Sequence, residues 1–175
     1  KASKKQRTLM IRIPEWANQS SNYSISINGK KETFPTKKGN QYLPLSRKWK
    51  KGDVITFNLP MKVTIEQILD KKDYYAFLYG PIVLAASTGT EHLDGLYADD
   101  SRGGHIAHGK QIPLQEVPML IGAPNSICKD LHKEKGNRIA FRYNGDVYPA
   151  QGKALELVPF LRLHNSRYAI YFRQT

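Results

Sequence analysis

The stretch Tyr74–Ser87 reads YYAFLYGPIVLAAS and is the longest apolar run in the chain. Gly80-Pro81 interrupts it near the middle, and a residue that precedes proline is driven out of the helical region, which argues against a continuous helix. The aromatic and β-branched residues on both sides favour a covered, pleated surface. The stretch therefore predicts two core strands that meet at Gly80-Pro81. With 14 residues, it is too short for a membrane-spanning helix, which needs about 20 apolar residues.

The composition is that of an ordinary folded protein with one or two domains. The chain has 175 residues, of which 40% are hydrophobic and 24% are charged, and such values argue against wholesale disorder. The single cysteine, Cys128, rules out an internal disulfide framework and a zinc site built from several cysteines. The chain starts without Met, and Arg12 and Pro14 break its first apolar stretch, so no signal peptide is recognised. We expect a fragment of a longer polypeptide, and removal of a tag or leader is the alternative explanation of this start.

Positive charge is concentrated in the first half of the chain. The net charge is +12, and residues 1–87 hold 16 Lys and Arg against 6 Asp and Glu. Many of these cations form lysine pairs at expected turns and strand ends, where they are typical of solvated loops and protected sheet edges. We predict no nucleic acid as partner, because the chain has no zinc-finger spacing, ribonucleoprotein motif or basic helix. We predict no membrane as partner either, because the longest apolar run is too short to span one. Binding of a polyanion or nucleic acid through the basic half remains an alternative function.

Short strand patterns separated by turn signals fill the first part of the chain. Tyr23–Asn28 alternates apolar and polar residues, and Asn28-Gly29 is a strong signal for a type I′ hairpin. The polar segment Glu15–Asn22 predicts a loop, and Glu66–Lys72 predicts one or two turns of helix. Further strands are predicted at Thr8–Pro14, Thr33–Pro35, Gln41–Leu45 and Val54–Leu59.

The strand pattern as a whole predicts an all-β protein with little helix. We expect two small antiparallel β-sandwich domains, jelly-roll-like, because turn signals recur every 8 to 12 residues. The first domain is predicted over residues 1–66 and lacks upstream strands, whereas the second covers residues 67–175. The last strand is predicted at Ser166–Arg173, with Tyr168, Ile170 and Phe172 on one face. His164 and Arg167 are expected to form a hydrogen-bonded pair at its start.

The polar segment Glu91–Lys110 is predicted to be a long loop. A loop of roughly 20 residues without secondary structure is uncommon and often functional. His105 and His108, together with nearby carboxylates, could form a metal site, and paired carboxylates could form a hydrolytic centre. Gly103-Gly104 favours an irregular structural loop instead, and contact with another domain is the secondary interpretation. We therefore assign no metal ligand in this loop.

Five short motifs occur in a fixed order between Ile11 and Val83. They are IRIPEWA (11–17), INGK (27–30), YLPLSRKW followed by KGD (42–53), LPM (59–61) and YGPIV (79–83). With these motifs the chain resembles glycoside hydrolase family 127, the β-L-arabinofuranosidase family, which was formerly catalogued as a domain of unknown function in gut bacteroidetes. The segments ADDSRGGHIA (98–107) and LHNSRY (163–168) resemble the C-terminal extension of many bacteroidal members.

The resemblance implies that catalysis belongs to an upstream α/α barrel that is absent from this chain. In that family a cysteine nucleophile and a glutamate acid/base act beside a zinc ion, so zinc is expected in the missing domain and no cofactor is expected in this chain. Cys128 matches no part of that site, and no catalytic residue is carried over. We expect Cys128 to be a small apolar filler or an inert surface thiol.

The resemblance also implies the role and location of the chain. It implies a non-catalytic C-terminal region that packs on its own catalytic barrel, in a periplasmic or extracellular bacterial enzyme acting on arabinose-containing plant polysaccharide. An autonomous carbohydrate-binding module is the alternative, because flat aromatic rings hold sugars by their C–H faces. Packing within the core or between domains is the favoured interpretation of both tryptophans. The candidate binding residues are Trp16, Trp49, Tyr97, Asp100, Arg102 and His105.

Overall fold

The computed structural model describes residues 5–18, 23–34, 41–95, 109–110, 113, 116–149 and 154–174. The chain divides into two compact units, Lys1–Lys62 (unit 1) and Val63–Thr175 (unit 2). Strands dominate the described part of both units, and the helical elements there are short. The prediction of an all-β fold with little helix is therefore confirmed.

Unit 1 contains two antiparallel sheets that share one core. Its described strands are β1 (Arg7–Ile13), β2 (Ser24–Ile27), β3 (Lys30–Glu32), β4 (Gln41–Arg47) and β5 (Ile55–Asn58). β1 pairs with β4, and β2 lies between β3 and β5. A short helix, α1 (Glu15–Asn18), follows β1 where a loop was predicted. The core is formed by Ile13, Ala17, Ile25, Ile27, Leu43 and Leu45.

The Asn28-Gly29 turn joins β2 to β3 as predicted and is also tied to a second turn. Both residues have positive φ, 52° and 78°, as the hairpin requires. The Asn28 side chain donates to Asp53 Oδ1 at 2.9 Å and accepts from the Val54 amide at 2.8 Å. The Lys50 amide donates to Asp53 Oδ2 at 2.8 Å. The INGK and KGD motifs therefore meet in one network, and its Lys50 and Asn28 hydrogen bonds hold the pKa of Asp53 below its usual value.

Unit 2 is built around the apolar run at Tyr74–Ser87. Its sheet has the order β10-β11-β13-β8-β7-β15, with β14 also paired to β8 and β6 to β7, while β9 and β12 form a separate ribbon. A short helix, α2 (Pro124–Asp130), precedes β10. The strands are β6 (Val63–Gln67), β7 (Tyr74–Tyr79), β8 (Ile82–Gly89), β9 (Met119–Leu120), β10 (Leu131–Lys133), β11 (Phe141–Tyr143), β12 (Val147–Tyr148), β13 (Leu155–Pro159), β14 (Arg167–Ala169) and β15 (Tyr171–Arg173).

The two core strands predicted from YYAFLYGPIVLAAS are confirmed as the hairpin β7–β8. Tyr79 pairs with Ile82 across the turn, and Gly80 has a φ of 57°, a conformation that glycine adopts without steric cost. Phe77 is fully buried and packs on Phe172 with ring centroids 5.7 Å apart. This hairpin therefore supplies the centre of the unit 2 core.

Two further local predictions are wrong, besides the loop predicted where α1 forms. Glu66–Lys72 is not helical, because β6 extends to Gln67 and pairs with β7, and the following turn is closed by the Ile68 amide donating to the Tyr74 carbonyl at 3.0 Å. Sheet pairing thus overrides a weak local helix preference. The strand predicted at Thr33–Pro35 begins earlier, as β3 at Lys30–Glu32, because a two-residue turn starts the pairing immediately after Gly29.

The last predicted strand is also divided in two. β14 pairs with β8 and β15 pairs with β7, so the chain moves from one neighbour to the next around Ile170. This change of neighbour interrupts the alternation of buried and exposed residues along the chain. Ala169 and Phe172, three positions apart, are both buried, at 7% and 0% exposure. Tyr168 and Tyr171 are both exposed, at 48% and 49%, although strict alternation placed them on opposite faces.

Candidate functional site

Unit 2 contains an open cleft with a volume of about 820 Å³. Three segments line it: the turn between β6 and β7, the β9–β12 ribbon, and the strands β14 and β15. Its apolar lining includes Ile68, Val117, Met119 and Ile170, which are half-buried. We call this feature the tyrosine cleft, after the four tyrosines that line it together with Asp70, Lys71 and Arg173: Tyr74, Tyr148, Tyr168 and Tyr171.

Strand pairing sets the positions of the four tyrosines. Arg173 lies opposite Tyr74 in the β15–β7 ladder, and residues opposite each other in such a ladder share a face of the sheet. Tyr148 lies opposite Met119 in the β12–β9 ribbon. Tyr168 is held by an edge contact with Phe160, with ring centroids 4.8 Å apart. The rings are therefore held by paired backbone or by ring packing.

Charged side chains form part of the cleft and are paired with their neighbours. Arg173 Nε donates to Asp73 Oδ2 at 2.9 Å, which fixes the guanidinium at the end of β15. The Lys71 ammonium lies 5.4 Å from the centroid of the Tyr74 ring, a cation–π distance. The cleft thus combines aromatic faces with hydrogen-bonding groups, an arrangement typical of sites for small molecules.

The two tryptophans proposed from the sequence lie in unit 1 and pack against its core. Trp16 belongs to α1 and is half-buried. Trp49 is also half-buried, its indole Nε1 donates to the Arg7 carbonyl at 3.0 Å, and the Arg47 guanidinium lies 5.4 Å from its ring. Both indoles therefore contribute packing contacts in unit 1. The other four candidates lie outside the described residues: Tyr97, Asp100, Arg102 and His105.

Arg167 connects the two described ends of the Glu91–Lys110 segment. Its Nε donates to the Glu91 carbonyl at 2.9 Å, and its Nη2 donates to the carbonyls of His92 at 2.5 Å and Lys110 at 2.6 Å. We expected Arg167 to pair with His164, but the guanidinium binds backbone on both sides of the segment instead. Three backbone acceptors around one side chain cannot be recognised from a linear sequence.

Cys128 lies in α2, where it packs against the unit 2 core and is half-buried. Burial raises the pKa of its thiol to about 11, because a thiolate is poorly solvated there. Cys128 is therefore protonated at neutral pH. Among the described residues, no group of three or more His, Cys, Asp or Glu side chains is placed to hold a metal ion. No helix in the described ranges is long and apolar enough to cross a membrane.

The all-β architecture and the ordered motifs agree with what the comparisons with known families and solved structures find. Residues 1–61 match the family described as the middle domain of GH127 β-L-arabinofuranosidases. Residues 64–174 match a family described as a domain of unknown function, DUF4986, and the chain belongs to that family. The resemblance to glycoside hydrolase family 127 is thus confirmed.

Solved structures show the same fold over nearly the whole chain. One, described as a glycoside hydrolase, aligns with a TM-score of 0.60 and 18% identity, and the match covers 97% of this chain and 28% of that one. The GH127 β-L-arabinofuranosidase Ara127N from Geobacillus stearothermophilus T6 gives a TM-score of 0.58 and 18% identity, over 99% of this chain and 27% of that one.

A third structure extends the comparison. The GH127 β-arabinofuranosidase BT3674 gives a TM-score of 0.57 and 16% identity, over 99% of this chain and 29% of that one. The chain therefore spans less than a third of the length of each of these structures. Among curated proteins, none matches the chain.

Proposed function

We propose that this chain is a non-catalytic β-sandwich region of a secreted bacterial glycoside hydrolase. In this proposal it packs on the catalytic barrel of its parent protein and supports it. The parent acts on arabinose-containing plant cell-wall polysaccharide, which lies outside the cell and so calls for an exported enzyme. The observation that carries the proposal is that two apolar side chains on the core side of unit 1 remain exposed to solvent.

Two large apolar side chains of unit 1 lie on the core side of their sheets and are nevertheless exposed. Leu9 pairs with Leu45, which is 4% exposed, yet Leu9 itself is 42% exposed. Phe57 pairs with Ile25, which is 2% exposed, yet Phe57 is 53% exposed. Directly opposed residues of an antiparallel pair point to the same face. We call Leu9 and Phe57 together the open core edge, and propose that these core-side side chains are covered by another domain.

The catalytic barrel of the parent is the partner that we propose for the open core edge. The solved structures that share the fold are more than three times longer than this chain, so polypeptide able to cover such an edge is present in them. Residues 1–62 carry 14 Lys and Arg against 3 Asp and Glu. This charge favours a partner surface that is acidic around an apolar centre.

The non-catalytic part of the proposal is supported by the state of Cys128. A cysteine nucleophile acts as its thiolate, and burial keeps the Cys128 thiol protonated at neutral pH because its pKa is about 11. We expect the purified chain to show no hydrolysis of an aryl β-L-arabinofuranoside above the buffer rate. Turnover that persists through purification would contradict this part of the proposal.

Binding to the separately expressed barrel of the parent protein tests the packing role. Leu9→Glu and Phe57→Glu place a charge on the open core edge, whereas Leu161→Glu places one on a 79% exposed leucine of unit 2. Burying the exposed half of a leucine or phenylalanine is worth about 1–2 kcal/mol. We expect each edge variant to raise the Kd by roughly 5- to 30-fold, measured by biolayer interferometry, with Leu161→Glu near wild type. Absence of wild-type binding, or equal effects in all three variants, would refute the role.

A further inference from the structure

We propose that the tyrosine cleft of unit 2 binds a neutral oligosaccharide directly, without help from the catalytic barrel. The cleft belongs to the part of the chain that matches a family described only as a domain of unknown function. The proposed site uses none of the residues of the open core edge. Glycan binding and barrel packing can therefore be tested, and can fail, separately.

Three of the tyrosines that line the cleft are exposed to solvent. Tyr148, Tyr168 and Tyr171 are 61%, 48% and 49% exposed, whereas the apolar lining residues Ile68 and Met119 are more buried. A tyrosine ring has an apolar face that packs against the C–H groups of a sugar, and a hydroxyl that exchanges hydrogen bonds with sugar hydroxyls. A purely apolar partner would leave these phenol hydroxyls without acceptors, at a cost in free energy.

The charges of the cleft favour a neutral ligand over an acidic one. Arg173 is bound to Asp73 at 2.9 Å, and Lys71 lies over the Tyr74 ring. Asp70 also lines the cleft, so the two carboxylates and two cations around it balance. A uronate chain would meet no excess of positive charge here, whereas a neutral glycan can bond to either kind of group.

The size and the support of the cleft fit a short stretch of glycan. Its volume of about 820 Å³ lies within the range of about 300–1,000 Å³ typical of ligand sites. Tyr171 and Tyr168 lie on paired strands, and Tyr168 also packs against Phe160. Rings that are held in place before binding lose little entropy when the ligand arrives.

Affinity electrophoresis of the full chain tests the proposal. The native gels contain soluble arabinan, arabinogalactan, polygalacturonate or dextran, each at low and at moderate salt. Tyr148→Ala and Tyr171→Ala remove exposed rings from the cleft, and Tyr171→Phe removes only a hydroxyl. Tyr42→Ala is the matched control, because Tyr42 is 58% exposed and lies in unit 1. Thermal unfolding of each variant establishes that it is folded.

We expect a neutral glycan to retard the wild-type chain equally at both salt concentrations. Each cleft alanine variant should raise the Kd about three- to tenfold, Tyr171→Phe should raise it less, and Tyr42→Ala should leave it unchanged. The proposal is overturned if no neutral glycan retards the chain, or if the cleft variants behave like Tyr42→Ala. It is also overturned if only polygalacturonate binds and salt abolishes that binding.

Discussion

Replacing Arg167 with methionine should loosen unit 2 by releasing both ends of the Glu91–Lys110 segment. The guanidinium donates three hydrogen bonds, to the carbonyls of Glu91, His92 and Lys110. Methionine keeps an unbranched stem of similar length and donates none of them. Arg167→Lys keeps the charge, but one ammonium cannot reproduce the planar fork of a guanidinium.

The expected size of the effect follows from these three bonds. Each hydrogen bond contributes about 1 kcal/mol, and ordering an arginine side chain costs about 1–2 kcal/mol. The net loss in the free energy of unfolding is therefore about 1–2 kcal/mol. For a unit of this size the loss corresponds to a fall in Tm of about 4–8 °C.

Differential scanning calorimetry measures the loss of stability, and limited proteolysis measures the release of the Glu91–Lys110 segment. Arg167→Met should lower the Tm of unit 2 and speed cleavage between residues 91 and 110, and Arg167→Lys should lie between it and wild type. Arg162→Met is the control, because Arg162 is exposed in the short turn before β14. A Tm within 1 °C of wild type, together with unchanged cleavage, would show that the three bonds do not hold the segment.

Three further predictions follow from other parts of the chain. The lowered pKa of Asp53 means that its carboxylate stabilises unit 1 above about pH 4 and that this contribution is lost as pH falls through the folded-state pKa. Below that pH the free energy of unfolding of Asp53→Asn should therefore fall less steeply with decreasing pH than that of wild type. An identical pH dependence in the two proteins would contradict a stabilising role for the Asp53 hydrogen bonds. Gly145→Ala should lower the free energy of unfolding, measured in urea, by about 1–3 kcal/mol, because the added Cβ would overlap the buried Tyr143 ring. Adding Tyr143→Phe should restore part of this loss. If it restores none, the loss does not come from a clash with the Tyr143 hydroxyl. Cys128, with a pKa of about 11, should react with iodoacetamide at pH 8 about a hundredfold more slowly in the folded than in the unfolded chain, and equal rates would contradict its burial.

Local patterns were sufficient for the elements whose signal is contained in a few neighbouring residues. The break at Gly80-Pro81 predicted two strands and the Asn28-Gly29 turn predicted a hairpin, because proline geometry and positive φ are properties of the residues themselves. The helix predicted at Glu66–Lys72 was wrong because the start of this segment belongs to a strand. That strand depends on pairing with β7, which cannot be recognised from the residues of the segment itself.

The tyrosine cleft was missed because it depends on tertiary structure. The alternation in Ser166–Arg173 predicted a single strand with Tyr168 and Tyr171 on opposite faces. The step between β8 and β7 around Ile170 leaves both tyrosines exposed in one cleft. Tyr148 reaches the cleft through a short ribbon with Met119. A period-two pattern assumes one uninterrupted strand, so it cannot report a change of neighbour.

The pairing of β14 and β15 with the β7–β8 hairpin also affects the order in which unit 2 can fold during synthesis. Tyr171 pairs with Ala76 and Ala169 with Ala86, so the hairpin leaves the ribosome long before these partners do. Until then, the backbone groups of β7 and β8 that β15 and β14 will pair with stay unpaired, and unpaired strand backbone invites association with other chains. Contacts this distant in sequence also form slowly. The central hairpin therefore completes its pairing only after the last strands of the chain have been made.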